Sequence, residues 1–544
     1  MVTADRPRPI VLCVLAGFGE RPERDGNAIA MAATPALDSL RAEWPTTTVR
    51  AAGTAVGLAD GQPGNGEAGH LTLGSGRPVP SAAQRIDEAI AQNQLSMRPM
   101  LDQTVRICLY DGCALHLVGL LSDGGIHSHL EHLYALIDLA SFQDIPVRLH
   151  GIVDGRHGSP RRAMDIVDRL LFHMENKDAS LATLAGRYYA MDRDERWDRT
   201  YQAFHAMVRD KVLGAPAPRA DTPFDAVSLA YSQGQDDEHL VPVRIGDYQG
   251  MPGDFLGDFA STHQVWEWTG EDCGLAFNVR GDRLRQLTAM LTGQGAPDEV
   301  KKDLLMDRDK PVRAFREQRF GTLTSYGDDL ELPVVFDPEP VANTLAEVIS
   351  KAGLTQLRCA ESEALPHVTR FFNGGRDAPF AGEQRAIARS PRLIDHYVEK
   401  PAMSAAKVAE RAVTAVSSAE ADFILVTFAN PDTLGHTGNL EAAREAVEAV
   451  DGAIGQLAEA VGDAGGALLI TADHGNCETM VDPAGKPLLG HTANPVPLIY
   501  VNPQDRSARL RADGQLADLA PTLLDIMGLE QPDVMVGKTL RITS

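Results

Sequence analysis

Ile10-Val11-Leu12-Cys13-Val14-Leu15, followed by Ala16-Gly17, is a run of six apolar residues set between Pro9 and a glycine turn. An unbroken apolar run of that length suits a strand covered on both faces, as in parallel sheets. Comparable runs recur at 115–121, 147–153, 275–279, 423–428, 468–471 and 497–501, and helical patterns such as 27–41 and 440–461 lie between many of them. That alternation predicts an α/β fold with mainly parallel sheets. Most of these runs end in polar or glycine-bearing residues: Ser122-Asp123-Gly124-Gly125-Ile126-His127, Asp154-Gly155-Arg156, Asn430-Pro431-Asp432 and Asp473-His474-Gly475-Asn476. Ligands of open α/β sheets bind beyond the carboxyl ends of strands, so function is expected in these loops.

The chain has 544 residues, 44% hydrophobic and 23% charged, too long for one core and suited to two large domains. A net charge of −24 argues against nucleic acid or an anionic membrane as the main partner, but a local arginine cluster can still hold a small anion. Cys13, Cys108, Cys113, Cys273, Cys359 and Cys477 form no CxxC pair, which suits a reducing cytoplasm. No run approaches the about twenty apolar residues of a membrane helix, and no secretory leader is read at the start. A cytoplasmic protein is expected, with a linker near 294–330 and another crossing near Arg77-Pro78-Val79-Pro80.

Asp432, His436, Asp473, His474 and His491 occupy three predicted strand-end loops. Carboxylate and imidazole together suit Mn²⁺ or Zn²⁺. One such histidine would more often bond to loop backbone; five such residues point to metal. Arg156, Arg187, Arg193, Arg280 and Arg283 form a second group, whose guanidinium forks suit phosphate or carboxylate. Each taken alone would more often make a surface ion pair. His127 follows a glycine-rich turn, where general acid, anion contact and structural roles are all open.

Together these segments resemble the cofactor-independent (2,3-bisphosphoglycerate-independent) phosphoglycerate mutases of the alkaline phosphatase superfamily. The likeness runs from Asn27-Ala28-Ile29 through Leu120-Leu121-Ser122-Asp123-Gly124-Gly125, Gly186-Arg187-Tyr188-Tyr189-Ala190-Met191-Asp192-Arg193 and His367-Val368-Thr369 to Thr471-Ala472-Asp473-His474-Gly475-Asn476. The resemblance implies an alkaline-phosphatase-like metal-binding domain formed by 1–79 and 330–544, with an α/β phosphotransferase domain inserted at 80–329. It implies two Mn²⁺ sites, Zn²⁺ or Mg²⁺ being alternatives: one complete in Asp432, His436 and His491, the other half-supplied by Asp473 and His474. It also implies substrate binding by His127, Asp154, Arg156, Arg187, Arg193, Arg280 and Arg283, and a monomer.

In that family a serine takes the phosphoryl group from one hydroxyl of phosphoglycerate and returns it to the other. Here Gly61-Gln62-Pro63-Gly64-Asn65-Gly66-Glu67-Ala68-Gly69-His70 carries Gly66 at the serine position. Ala16 replaces a carboxylate ligand, His157 an acid/base carboxylate, and Ala364 a lysine. A covalent route needs a nucleophile at the attack position. The favoured expectation is therefore an enzyme of direct group transfer to glycerate or phosphoglycerate, with His157 as base. Mutase-like relatives in phosphonate and phosphinate antibiotic biosynthesis suggest a phosphonoformyl group from a CMP-linked donor. The alternatives are a phosphoglycerate mutase or phosphohydrolase with an altered site, and a non-catalytic glycerate-binding protein.

Overall fold

The structure is a computed structural model that describes residues 6–156, 159–193, 195–208, 217–249, 272–295, 297, 315, 319–327, 329–337, 340–391, 397–482 and 484–542. The chain divides into two compact units, Met1–Ser81 with Glu339–Ser544, and Ala82–Pro338. Each is a mixed α/β layer built on an eight-stranded sheet.

In the first unit the strands run in the order Glu383–Ala388, Gln356–Glu361, Phe423–Phe428, Ile10–Leu15, Ala467–Thr471, Val496–Val501, Thr46–Arg50 and Gly514–Gln515. The first five are parallel, and Val496–Val501 is antiparallel to both its neighbours. Ile10–Leu15 lies at the centre, with Ile10 opposite both Phe423 and Ala467. All six of its side chains are buried. Fully burying a Val, Leu or Ile stabilises the fold by about 1.5–3 kcal/mol each, so this run anchors the core. The helices Ala405–Ser417 and Leu440–Asp463 pack into the same core through Val408, Ala412, Val447, Ile454 and Leu457. Asn439 caps the longer helix by accepting from the Ala442 N–H at 3.0 Å.

The predicted helix over 27–41 is two helices, Ala28–Met31 and Pro35–Glu43. Pro35 disfavours helical backbone at the residue before it, and Thr34 has φ −122°. The second helix restarts on the buried Asp451 carboxylate, which accepts from the Ala36 and Leu37 N–H groups at 3.1 and 2.8 Å.

The second unit orders its strands Val334–Phe336, Phe320–Thr324, Cys273–Ala276, Leu115–Leu121, Val147–Val153, Ala179–Gly186, Val243–Ile245 and Arg219–Ala220. All neighbours are parallel except Ala179–Gly186 with Val243–Ile245. The strand expected at 275–279 begins and ends earlier, because the Asn278 side chain takes the Leu120 N–H at 2.9 Å and closes the ladder. The six cysteines are free and buried. Among the described residues no helix is long and apolar enough to cross a membrane.

Candidate active site

Three neighbouring parallel strands of the first unit deliver its polar cluster. Phe423–Phe428 leads into the short helix Asn430–Gly435, which carries Asp432 and is followed by His436. Ala467–Thr471 leads to Asp473 and His474, and His491 sits just before Val496–Val501. Ile10–Leu15 leads to Ala16 and Gly17, where the backbone turns left-handed with φ +71° and a side chain would lie 2.7 Å from the Asp432 Cα. Glycine at 17 thus lets the Asp432 loop close over the strand end.

The Asp432 Oδ1 atom is the hub. The Nε2 atoms of His436, His491 and His474 lie 3.4, 3.4 and 3.8 Å from it. The Nδ1 groups of the same histidines donate to the carbonyls of Leu489, Gly64 and Gly475 at 2.6, 2.8 and 3.3 Å. A ring with its Nδ1 proton fixed on a carbonyl presents a bare Nε2 lone pair, the arrangement of metal-ligating histidine. The Nε2 atoms of His436 and His491 face each other at 3.0 Å. Two lone pairs at that distance repel unless a cation lies between them. The donor set therefore fits a divalent metal. Burial would raise the Asp432 carboxyl, but the surrounding His474, His436 and His491 rings hold it well below the usual range.

Asp473 stands beside this hub. Its Oδ1 lies 3.5 Å from His474 Nε2 and accepts from the Gly17 N–H at 3.3 Å; its Oδ2 lies 3.2 Å from His70 Nδ1. Burial pushes the Asp473 carboxyl up, yet His474 and His70 together bring it to about 2, so it is ionised at neutral pH. The backbone N–H of Gly17 here meets the charge next to the position where Ala16 has lost a carboxylate.

Gly66 opens the helix Gly66–Ser75, capped by Asn65 accepting from the Ala68 N–H at 2.9 Å. A Cβ at position 66 would lie 2.5 Å from His367 Nε2 and 3.4 Å from Asp473 Oδ2. The edge of the His367 imidazole thus borders the serine position. Burial first, and then the charge of His70, lowers His367 to about 4. Ala364 is buried in a short turn, with Glu363 beside it exposed and accepting from the Tyr397 hydroxyl at 3.2 Å.

In the second unit four strand ends assemble the other cluster. Arg187 and Asp154 form a buried ion pair, and Arg187 Nη2 donates to His127 Nε2 at 3.4 Å. Burial, then the charges of Arg187 and Arg280, lower His127 to about 3, so its imidazole is neutral at pH 7. Arg156 bonds Glu238 at 2.6 Å, while Arg193 and Arg280 share Asp282 at 3.4 and 3.0 Å. Arg283 has no ion pair or hydrogen bond among the described residues. Burial and the charges of Arg193, Arg187 and Arg156 lower it to about 10. A half-buried guanidinium among other guanidinium groups is stabilised by a bound anion. The expected base, His157, lies outside the described residues.

Several participants escaped the sequence reading. Glu478 is fully buried; it accepts from the Gly19 and Asn476 N–H groups at 3.1 and 2.8 Å and from Asn494 Nδ2 at 3.0 Å, bracing the metal loops. Asn476 donates to Asp432 Oδ1 at 3.0 Å. The one available signal was their place in the strand-end run Asp473–Glu478. His70, His367, Glu238 and Asp282 gave none beyond proximity to the quoted motifs.

The Metalloenzyme superfamily profile matches residues 8–531. A 2,3-bisphosphoglycerate-independent phosphoglycerate mutase of Synechococcus sp. (strain JA-2-3B'a(2-13)) is 43% identical over 544 residues, covering 98% of this chain and 95% of its own. One from Gluconobacter oxydans (strain 621H) is 40% identical over 547 residues, covering 99% of each. The crystal structure of Leishmania mexicana phosphoglycerate mutase at low cobalt concentration matches with TM-score 0.77 and 29% identity, covering 100% of this chain and 99% of that one.

These relatives overturn the expectation of a direct transferase with a CMP-linked donor: along nearly the full chain the likeness is to proteins named as mutases. By the superfamily match and by identity above 40% across almost its whole length, the chain belongs to the metalloenzyme superfamily and, within it, to the 2,3-bisphosphoglycerate-independent phosphoglycerate mutase family.

Proposed function

We propose that this chain is a metal-dependent phosphoglycerate mutase that moves a phosphoryl group between the 3- and 2-oxygens of glycerate. The observation that carries the substrate class is Arg283, a half-buried cation that forms no ion pair among the described residues and is crowded by the charges of Arg193, Arg187 and Arg156. That cluster suits an acid bearing carboxylate and phosphate, and the likeness to mutases over the full length supports phosphoglycerate as that acid. Arg187, oriented by Asp154, and Arg283 hold the anion. Neutral His127 accepts from Arg187 and keeps that guanidinium in place. Arg156, Arg193 and Arg280, already tied to Glu238 and Asp282, complete the positive wall.

In the first unit Asp432, His436 and His491 would hold one metal ion, and Asp473 with His474 would contribute to a second. We take Mn²⁺ as the first candidate, since carboxylate with imidazole suits it. A divalent ion held there would supply Lewis-acid stabilisation of charge on a phosphoryl group.

Purified protein given 3-phosphoglycerate and Mn²⁺ is expected to form 2-phosphoglycerate, read as phosphoenolpyruvate through added enolase. Chelation is expected to abolish turnover and added Mn²⁺ to restore it. Turnover that survives exhaustive chelation would refute the metal role, and absence of 2-phosphoglycerate would refute the reading.

Arg283→Gln is expected to raise KM about ten- to a hundredfold, since a hydrogen bond to a charged group contributes about 1.5–3 kcal/mol. Stability should change little, because the loss of attraction to Asp282 is offset by relief of repulsion from Arg193, Arg187 and Arg156. Steady-state kinetics and thermal denaturation of the same variant check both halves.

A further inference from the structure

We infer that Cys108, Cys113 and Cys273 of the second unit form a binding site for a divalent cation of the zinc group, held through three sulfurs. The site shares no ligand with the Asp432 centre and does not depend on the mutase reading.

The local backbone brings the three together. Cys108 lies in the last turn of the helix Pro99–Asp111, which ends at Gly112 in left-handed conformation, φ +64°. That cap turns the chain back, and the Cys113 N–H donates to the Cys108 carbonyl at 3.1 Å. Cys273 opens the strand Cys273–Ala276 and is set by its own N–H, which donates to the Ala114 carbonyl at 3.0 Å. The three Sγ atoms lie within 4.8 Å of one another. Three sulfurs bound to one zinc ion at about 2.3 Å stand about 4 Å apart, so small side-chain rotations close the site. Four residues separate Cys108 from Cys113, the upper end of the spacing common in zinc ligand pairs.

The surroundings favour charge on these sulfurs. Buried cysteine is often no more than a small apolar side chain, and Cys13 and Cys359, in the core of the first unit, join no such group among the described residues. The group of three differs again in having a cation beside it. The Arg319 Nη1 atom lies 4.0 Å from Cys113 Sγ, and its Nη2 pairs with Asp111. On binding, each thiol gives its proton to water and forms one sulfur–metal bond. Three thiolates with one divalent ion leave one net negative charge, which Arg319 is placed to balance. Asp272, next to Cys273, does not compete for the ion: its oxygens take the Ala114 N–H at 2.9 Å and face His116 Nε2 at 3.1 Å. The side chains of Arg319 and Asp111 are partly exposed, so the Cys113 edge gives a route in from solvent. An ion held there would tie the end of the helix Pro99–Asp111 to the start of the strand Cys273–Ala276.

The test titrates chelator-treated, thiol-reduced full-length protein with Cd²⁺ and reads the ultraviolet thiolate-to-cadmium charge-transfer band. Carboxylate and imidazole give no such band, so ions at the Asp432 centre stay silent. One thiolate-bound Cd²⁺ per chain is expected at micromolar concentration, and Zn²⁺ should displace it and bleach the band. Cys108→Ala, Cys113→Ala and Cys273→Ala should each weaken Cd²⁺ binding at least about a hundredfold, since the binding free energy of a structural zinc is shared among four ligands at most. Alanine leaves a cavity in this core, so each position is also replaced by serine, which keeps the volume, and circular dichroism of the variants should match wild type. Cys359→Ala should keep the full band. Absence of the band in wild type, saturation only in the millimolar range, or a band unchanged by replacement at all three positions would overturn the site. A disulfide joining two of the three in protein kept under reductant would also overturn it and make the group a redox pair. The wild-type titration decides the case in which a variant does not fold.

Discussion

Asp432→Asn is expected to abolish tight metal binding and lower kcat by at least about three orders of magnitude, with the fold intact. Asp432 Oδ1 lies within 3.8 Å of three histidine Nε2 atoms and takes a further bond from Asn476. Its charge is what lets bare imidazole lone pairs gather there with a cation. The amide keeps the shape and one acceptor but removes the charge. A metal ion contributes several kcal/mol of charge stabilisation at a phosphoryl group, and each 1.36 kcal/mol is tenfold in rate. Calorimetric titration with Mn²⁺ and the enolase-coupled rate check the two parts. Wild-type affinity and rate in the variant would remove Asp432 from the metal centre.

Arg187→Met is expected to act on stability and on substrate binding together. Arg187 and Asp154 are 4% and 5% exposed, so the pair is enclosed. Removing Arg187 takes away the guanidinium that balances the enclosed Asp154 charge, a loss of about 3–5 kcal/mol. Denaturant unfolding of the variant should show a destabilisation of that order, and KM should rise steeply because the anion loses its most enclosed guanidinium. Adding Asp154→Leu removes the stranded charge and should recover most of the stability, since apolar replacement of a whole buried pair is often close to neutral. It should not recover KM. Recovery of both would mean that Arg187 serves the fold alone.

Much of this architecture is readable from local sequence. The run Ile10–Leu15 is apolar because both faces are covered, and it lies at the centre of the first sheet. The residues Asp432, His436, His474 and His491 could be picked out because strand ends of parallel sheets gather ligands, and the structure brings their donor atoms to one hub. The helix break at Pro35 was written in the proline and lost to the strong periodicity on either side of it. The expectation that failed was direct transfer from a CMP-linked donor, which the likeness to mutases along nearly the whole chain overturns. Gly66 states only that its own side chain is missing. What borders that position depends on a turn far along the chain, which brings the His367 ring edge beside Gly66. Pairings such as Glu238 with Arg156 and Asp282 with Arg193 and Arg280 are illegible for the same reason, being set by loops that meet only in the fold.

The most direct measurement is a phosphorus NMR time course of 3-phosphoglycerate with catalytic protein and Mn²⁺, with metal removed from each quenched sample. Phosphoglycerate isomerisation predicts that the 3-phosphate resonance declines as the 2-phosphate resonance grows, with total phosphoester constant. Growth of inorganic phosphate in place of the 2-phosphate resonance, or an unchanged spectrum, would contradict it.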